Sequence, residues 1–344
     1  MSQAAGSLNT GLGAGKARAT TSRYLVALVF LLTLPSVARP QEASTSELRP
    51  LEPFKIRVNV SSVVLHATVQ NHKGAAVSGL SKNDFQVYED GALQPIEYYS
   101  HEDIPVTVGL VLDNSGSMGP KRDEVIAAAL AFARSSNPQD QMFVVNFNEH
   151  VSFGLPANLP FTDHPAVLQI ALSKFKTNGE TALYDALAAA LEHLKMGNRD
   201  KKVLIVVSDG GDNASQHKLG QILTMARQSD AIIYTIGIYT DDDPDKKPDA
   251  LRELSKATGG EAFFPQAIPD VVPVCERIAH DIREQYTLAY TPLNRNSDGA
   301  YRVIQVKATA PGHGRLFVRT RAGYYAPSKP QAFAPTAGSQ SDRP

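Results

Sequence analysis

The chain has 344 residues, which exceeds the usual size of one domain and leads us to expect two compact units with tails. Apolar residues make up 42% of it and charged residues 20%, a composition typical of a globular protein. The 34 basic and 35 acidic residues give a formal net charge of −1. This balance excludes a global attraction to nucleic acid or anionic lipid, so any specific binding must depend on a local site.

The first feature in chain order is a predicted secretory signal with a long amino-terminal region, which we place at residues 1–40. The apolar run Tyr24–Leu34 follows the basic residues Arg18 and Arg23 and precedes a small-x-small cleavage pattern at 36–38. The run is well short of the roughly 20 residues that a membrane-spanning helix needs. We therefore expect a secreted, periplasmic or cell-envelope protein, with membrane contact only if the signal stays uncleaved as an anchor.

Alternating apolar and polar residues occupy two separate parts of the chain. Residues 50–104 contain stretches such as VVLHATVQ and FQVYED, and residues 286–326 contain YTLAYTP and YRVIQVKAT. Neither set offers enough strands for independent stability. We predict that the two sets join in one small β-sandwich, with the intervening domain as an insertion. Residues 327–344 are rich in Pro, Ser and Ala, which predicts a disordered tail.

Between these parts, residues 105–285 alternate continuous apolar strands with helical periodicity. Leucines recur at helical spacing from Leu183 to Leu194, which marks one of the helices. This rhythm predicts an α/β domain with a doubly wound, mostly parallel sheet, which is a Rossmann-like arrangement. The predicted strands lie at 106–113, 142–148, 202–209, 231–238 and 261–264.

The last predicted helix carries the single cysteine, Cys275, so the chain cannot form an internal disulfide. Cys275 is in step with Val271, Ile278 and Ile282 on one apolar helix face, which favours a core role over a nucleophilic one. The adjacent pair His280-Asp281 is expected to take part in a surface ion pair.

The first strand of this domain ends in Asp113-Asn114-Ser115-Gly116-Ser117, which places one carboxylate and two hydroxyls within five residues on a glycine-containing turn. Hard cations such as Mg²⁺ take oxygen ligands and use only one or two carboxylates, so serine hydroxyls are suitable neutral partners. The turn therefore supplies a suitable set of ligands. Taken alone, Asp113-x-Ser115 would equally fit a helix N-cap.

Two later segments add oxygen donors to this set. Thr181 lies in a loop at the start of a predicted helix, and Asp209 lies at the carboxyl end of the strand KVLIVVSD. The carboxyl edge of a parallel sheet is where α/β folds bind ligands. We predict a metal site formed by Asp113, Ser115, Ser117, Thr181 and Asp209.

The order of these segments is similar to that of the von Willebrand factor type A domain. The chain has the D-x-S-x-S motif, then a threonine in G-E-T-A-L-x-D-A, then S-D-G after a hydrophobic strand, over about 105–285. The five positions of that family's metal-ion-dependent adhesion site are all filled. The flanking β segments, with DFxVYEDG before and GYYxP after, more loosely resemble related proteins of Acidobacteria.

The resemblance implies a role for each predicted ligand. Ser115 and Ser117 are expected to bind Mg²⁺, or Mn²⁺ or Ca²⁺, directly, and Asp113 and Asp209 to act directly or through water. Thr181 is expected to move with the state of ligation. A vacant coordination position would accept a carboxylate from a partner protein, so the resemblance implies an adhesion-type binding module with no small-molecule substrate.

Two other functions remain open at this point. The ion could be purely structural, in a cell-envelope scaffold. A hydrolase using either serine is less well supported, because no GxSxG elbow or positioned base accompanies them, and we therefore predict no enzyme activity.

Acidic residues and a glycosylation sequon are two further polar features of the sequence. Asp185, Asp212 and the acidic run at 241–243 could hold a second ion, although acidic loops are usually solvated surface. The sequon at Asn213 is assigned no role.

Overall fold

The computed structural model describes residues 62–174, 177–239 and 246–328. The predicted export signal, the β stretch before residue 62 and all but the start of the predicted tail lie outside these ranges. Within them, no helix is long and apolar enough to cross a bilayer. The described chain forms an α/β body and a β-sandwich, each with its own cluster of buried apolar residues.

The strands of the described residues, in chain order, are β1 (Val63–Gln70), β2 (Phe85–Glu89), β3 (Ala92–Gln94), β4 (Tyr98–Ser100), β5 (Val106–Asp113), β6 (Gln141–Phe147), β7 (Val151–Phe153), β8 (Lys201–Ser208), β9 (Ala231–Gly237), β10 (Ala262–Phe263), β11 (Tyr286–Tyr290), β12 (Tyr301–Ala308), β13 (Phe317–Arg319) and β14 (Gly323–Tyr325). The α-helices are α1 (Arg122–Ser135), α2 (Pro165–Ser173), α3 (Leu183–Leu194), α4 (Leu219–Gln228), α5 (Pro248–Thr258) and α6 (Val271–Arg283).

The α/β body is organised around β5, which lies between β8 and β6 and runs parallel to both. The full order of the sheet is β10-β9-β8-β5-β6-β7. Every residue of β5 is buried, which explains its continuous apolar sequence. The edge strand β7 runs antiparallel and was not predicted, because three residues are too few to show a pattern.

Helices pack against this sheet in two groups. Helix α1 contacts α2 and α6, while α4 contacts α3 and α5. The leucines predicted to form the inner face of α3 are buried. Cys275 on α6 is also buried, and burial raises the pKa of its thiol to about 12, as a core role requires.

The β-sandwich contains two four-stranded antiparallel sheets, with orders β13-β1-β11-β4 and β14-β12-β2-β3. Strand β1 precedes the α/β body and pairs with β11, which follows it, so that Val63 lies opposite Tyr290. Strand β12 likewise pairs with β2. Each sheet therefore combines segments from both sides of the body, which confirms the predicted fold class.

A buried ion pair lies inside the sandwich. The guanidinium of Arg302 is 3.2 Å from the carboxylate of Glu89, and both side chains are almost fully buried. The hydroxyls of Tyr290 and Tyr324 donate to the other Glu89 oxygen at 2.8 and 3.0 Å. A buried charge is costly unless it is paired and hydrogen-bonded, so loss of any one partner would be unfavourable. The partners come from β2, β11, β12 and β14, and the network therefore holds these four strands together.

A second set of charges joins the sandwich to the body. Arg319 of β13 is paired with Glu261 and lies 3.3 Å from the carboxylate of Asp281 on α6. The predicted surface role of Asp281 is therefore wrong, because only its neighbour His280 is exposed while Asp281 is buried against the sandwich. The burial of Asp281 could not be predicted from the sequence of the helix alone, because the sandwich that covers it is formed by distant parts of the chain.

Gly259 forms a close contact at the same junction. It caps α5 in the left-handed conformation with φ of 84°. A Cβ atom at this position would lie 2.4 Å from the backbone carbonyl carbon of Thr320, which leads into β14. Both the conformation and the close approach therefore require glycine.

We expect Gly259→Ala to lower the free energy of unfolding by at least about 2 kcal/mol, because an L-residue pays 1–2 kcal/mol in this conformation before any clash is counted. Chemical denaturation measures the difference. The matched control is Gly220→Ala in the first turn of α4, where nothing lies within 4 Å of an added Cβ. That variant should be unchanged or more stable by up to about 1 kcal/mol, and equal losses in both variants would contradict the assigned role of Gly259.

Candidate metal centre

The turn that follows β5 holds its polar side chains in a fixed arrangement. Asp113 ends the strand, and its Oδ1 accepts a hydrogen bond from the backbone amide of Ser115 at 2.8 Å. The backbone of Asn114 donates to the Phe147 carbonyl at the end of β6, and its side chain donates to Asn146 at 3.0 Å. A 3₁₀ turn, Gly116–Lys121, then leads into α1. The ends of two strands therefore position the Asp113 loop.

Side-chain oxygens from the ends of β5 and β8 form a continuous chain. The hydroxyls of Ser115 and Ser117 are 3.2 Å apart, and Ser117 Oγ donates to Asp209 Oδ2 at 2.5 Å. Ser208, the last residue of β8, donates its hydroxyl to Asp113 Oδ2 at 2.6 Å. Four of the five predicted ligands therefore meet at the carboxyl edge of the sheet.

The Asp113 carboxyl group is nearly fully buried, and this changes its acidity. Burial, followed by the nearby negative charge of Asp209, raises the pKa of Asp113 to about 6. Hydrogen bonds from Ser115 and Ser208 oppose the shift but do not cancel it. The site thus concentrates negative charge in a poorly solvated position, where a bound cation would favour the ionised form.

Thr181, the fifth predicted ligand, is brought to the same edge by its loop. The Gly116 amide donates to the Gly179 carbonyl at 3.1 Å, and the Asn178 amide donates to the Asn114 carbonyl at 2.9 Å. Thr181 is 7% exposed, and its hydroxyl is not part of the hydrogen-bonded chain of oxygens. Backbone hydrogen bonds therefore join the Thr181 loop to the Asp113 turn.

The donor set fits a hard divalent cation. Metal–oxygen distances of about 2.1 Å place neighbouring ligands of an octahedron about 3 Å apart, and the Ser115–Ser117 and Ser117–Asp209 oxygen pairs are 3.2 and 2.5 Å apart. In the three described ranges, no group of three or more His, Cys, Asp or Glu side chains could hold a metal. A site with two carboxylates and several hydroxyls suits Mg²⁺ or Mn²⁺ more than zinc.

Several residues that support the site were not predicted. Asn213 accepts the Thr181 amide through its side chain at 2.8 Å and returns its own amide to the Thr181 carbonyl at 3.0 Å. The sequon pattern at Asn213 gives no indication of this contact with Thr181. Ser208 lay within the S-D-G motif, but only its contact with Asp113 identifies its function.

The acidic residues considered for a second ion have structural partners instead. Asp212 accepts the backbone amide of Tyr184 in the first turn of α3 at 3.3 Å. Asp185 accepts the amides of Gln216 and His217 as well as the His217 ring nitrogen, at 2.6 to 3.0 Å. These contacts give both carboxylates a structural role, and the acidic run at 241–243 lies outside the described residues.

Comparison with known proteins gives a family match over the α/β body. Residues 107–271 match the family model described as the von Willebrand factor type A domain. An uncharacterized protein of Synechocystis sp. is 28% identical over 140 residues. The matched stretch covers 39% of this chain and 32% of that protein, so the chain spans about a third of the length of this relative.

Solved structures are also similar to the chain. A von Willebrand factor type A protein from Catenulispora acidiphila aligns with a TM-score of 0.48 and 13% identity, covering 80% of this chain and 77% of that one. The corresponding domain of the type V pili tip protein Mfa5 from Porphyromonas gingivalis aligns with a TM-score of 0.44 and 14% identity. That alignment covers 52% of this chain and 95% of Mfa5's domain.

The family match, the order of the central sheet and the position of the three loops at its carboxyl edge agree. The chain therefore contains a von Willebrand factor type A domain, inserted into an antiparallel β-sandwich.

Proposed function

We propose that the chain is an exported, protein-binding module whose affinity depends on a divalent cation. Ser115, Ser117 and Asp209 hold the ion, Asp113 contributes its charge, and Thr181 joins or leaves the coordination sphere. One open position accepts a carboxylate from a partner protein. The observation that carries this proposal is the chain of oxygens from Ser115 through Ser117 to Asp209, which links two separate loops at hydrogen-bond distance.

The balance of charge supports an electrophilic site. Two carboxylates, Asp113 and Asp209, match the charge of one divalent ion, so the occupied site is neutral overall. The hydroxyls add no charge, so a position left open on the ion keeps its attraction for an acidic group. Mg²⁺ suits this arrangement because it prefers octahedral oxygen ligands and usually keeps water molecules that an incoming ligand can replace.

Hydrolysis is a weaker alternative for the same residues. The Ser117 hydroxyl donates to Asp209 and lies beside that of Ser115, so both serines already contact the other oxygen donors. A nucleophilic serine needs a base placed to accept its proton and a partner that orients this base. The observed contacts favour metal ligation, and we propose no catalytic role.

The metal proposal predicts a linked change in stability. Titration of chelator-treated protein with Mg²⁺ or Mn²⁺ should raise the melting temperature, by an amount equivalent to about 2.7 kcal/mol at 100 times the dissociation constant. Asp209→Asn should abolish the response because it removes the carboxylate that bridges the loops. Asp249→Asn, which alters an exposed carboxylate on α5, is the matched control and should respond as the original protein does. An unresponsive original protein would exclude the proposed site.

Asp113→Asn should raise the stability of the metal-free protein and remove its stabilisation by Mg²⁺. The pKa of Asp113 is raised in the folded protein, so the protonated carboxyl group favours folding. This contribution to the free energy of unfolding is complete below about pH 4 and is lost as the pH rises through about 6. Without metal at pH 8, replacing the buried charge should therefore raise stability by roughly 2–3 kcal/mol. The same variant should no longer be stabilised by Mg²⁺. Calorimetry at pH 4 and 8 measures both effects, and a metal-free variant that is destabilised at pH 8 would contradict this view of Asp113.

Binding and scaffold functions differ in what happens when the ion is removed. If the ion engages the partner, immobilised protein should retain partners from the extracellular or envelope fraction of its source in Mg²⁺ and release them in chelator. Asp209→Asn should retain none in either condition. A purely structural ion in an envelope scaffold predicts contacts that survive brief chelation while the protein stays folded, which circular dichroism checks in parallel.

A further inference from the structure

A cleft of about 730 Å³ lies between the α/β body and the β-sandwich. Its walls include Asp230 at the start of β9 and Asp200 just before β8, so it opens at the amino-terminal ends of the parallel strands. Asp209 follows the opposite end of β8, whose eight residues span about 25 Å. The cleft is therefore remote from the proposed metal site, and its volume suits a small molecule.

Four arginines and two aspartates line this cleft, so its walls carry an excess of positive charge. Two of the arginines have their hydrogen bonds satisfied. Arg302 is paired with Glu89 and donates to backbone carbonyls, while Arg321 is 2.8 Å from Asp230 and donates to the carbonyls of Gly323, Arg227 and Ser229. We therefore assign Arg302 and Arg321 a structural role in the walls of the cleft.

Arg227 and Arg295 differ from them. The Arg227 guanidinium lies 5.7 Å from the centre of the Tyr301 ring, and its Nε is buried without a hydrogen-bond partner among the described residues. Arg295 is exposed in the loop between β11 and β12, and no described carboxylate is within ion-pair distance of either arginine. A buried hydrogen-bond donor without a partner is unfavourable, so an anionic ligand that accepts a hydrogen bond from the Arg227 guanidinium would be favoured at this position.

The rest of the lining favours an anion with an apolar portion. Val64 and Tyr324 contribute apolar surface from the two sheets of the sandwich. His66 also lines the cleft, and burial, followed by the charges of Lys201 and Arg321, lowers its pKa to about 3. The imidazole is therefore neutral, and the positive potential of this region comes from its fixed cations.

We propose that this cleft is a second binding site, which takes a small organic carboxylate with its anionic end on Arg227 and Arg295. The aromatic and aliphatic side chains of the sandwich cover the rest of the ligand. Such a ligand would contact α4 of the body and the loop before β12 of the sandwich together. This site is independent of the proposed metal centre and uses none of its residues.

The test is calorimetric titration of the full chain at constant ionic strength with benzoate, succinate, citrate and inorganic phosphate. At least one carboxylate should bind with one-to-one stoichiometry, and Arg227→Gln and Arg295→Gln should each weaken it at least tenfold. Arg315→Gln is the matched control, because it removes an exposed arginine that lies over Phe317 on the sandwich. Melting curves of each variant establish that it is folded.

Several outcomes would overturn the proposal. These are absence of saturable binding by every carboxylate, tighter binding of inorganic phosphate than of any carboxylate, and equal weakening by the control variant. Asp209→Asn separates the two sites, because it should lose the response to Mg²⁺ and keep carboxylate binding. Loss of both together in a folded variant would contradict the independence of the cleft.

Discussion

The parallel pairing of β5 with β8 is the constraint on which the candidate site depends. In this register Leu112 lies opposite Val207, so the next residues along both strands, Asp113 and Ser208, leave the sheet side by side. The hydroxyl of Ser208 then reaches Asp113, and Asp209 reaches Ser117 in the neighbouring turn. The oxygen donors lie close together because they follow directly on neighbouring strands of the core. A shift in the register would separate the two carboxylates.

This arrangement has an electrostatic cost in the absence of an ion. Two carboxylates share a poorly solvated edge, and the raised pKa of Asp113 records the unfavourable charge. Hydrogen bonds from two serines lower that cost without removing it. A divalent cation would replace mutual repulsion by attraction to both groups, so occupancy, stability and the affinity for an acidic partner are coupled in the proposed mechanism. The sandwich takes no part in this coupling, but it fixes the opposite end of the body through Arg319 and its partners on α6 and next to β10.

Much of the fold could be predicted because each element has a local pattern. The continuous apolar run of β5 and the helical spacing of the leucines in α3 predict these two elements directly. The small number of strands in each outer β region indicated that the two regions form one sandwich. The contacts between elements were harder to predict. Asp281 was predicted at the surface because the sequence of α6 alone does not show that a second domain packs on that helix. The contact of Asn213 with Thr181 was not predicted because the two residues are distant in the sequence. The cleft at the junction likewise has no local pattern, since its arginines come from separate parts of the chain.

The most direct test of the central claim is a crystal structure of the protein grown with Mn²⁺, with anomalous diffraction used to locate the ion. We expect one strong peak at the carboxyl edge of the sheet, within roughly 2.0–2.4 Å of the hydroxyl oxygens of Ser115 and Ser117. Asp209 should ligate the ion directly or through one water, and a water or a neighbouring carboxylate should fill the remaining position. A fully occupied Mn²⁺ peak elsewhere, or a well-ordered site whose serines still hydrogen-bond to each other and to Asp209 at saturating Mn²⁺, would contradict the account.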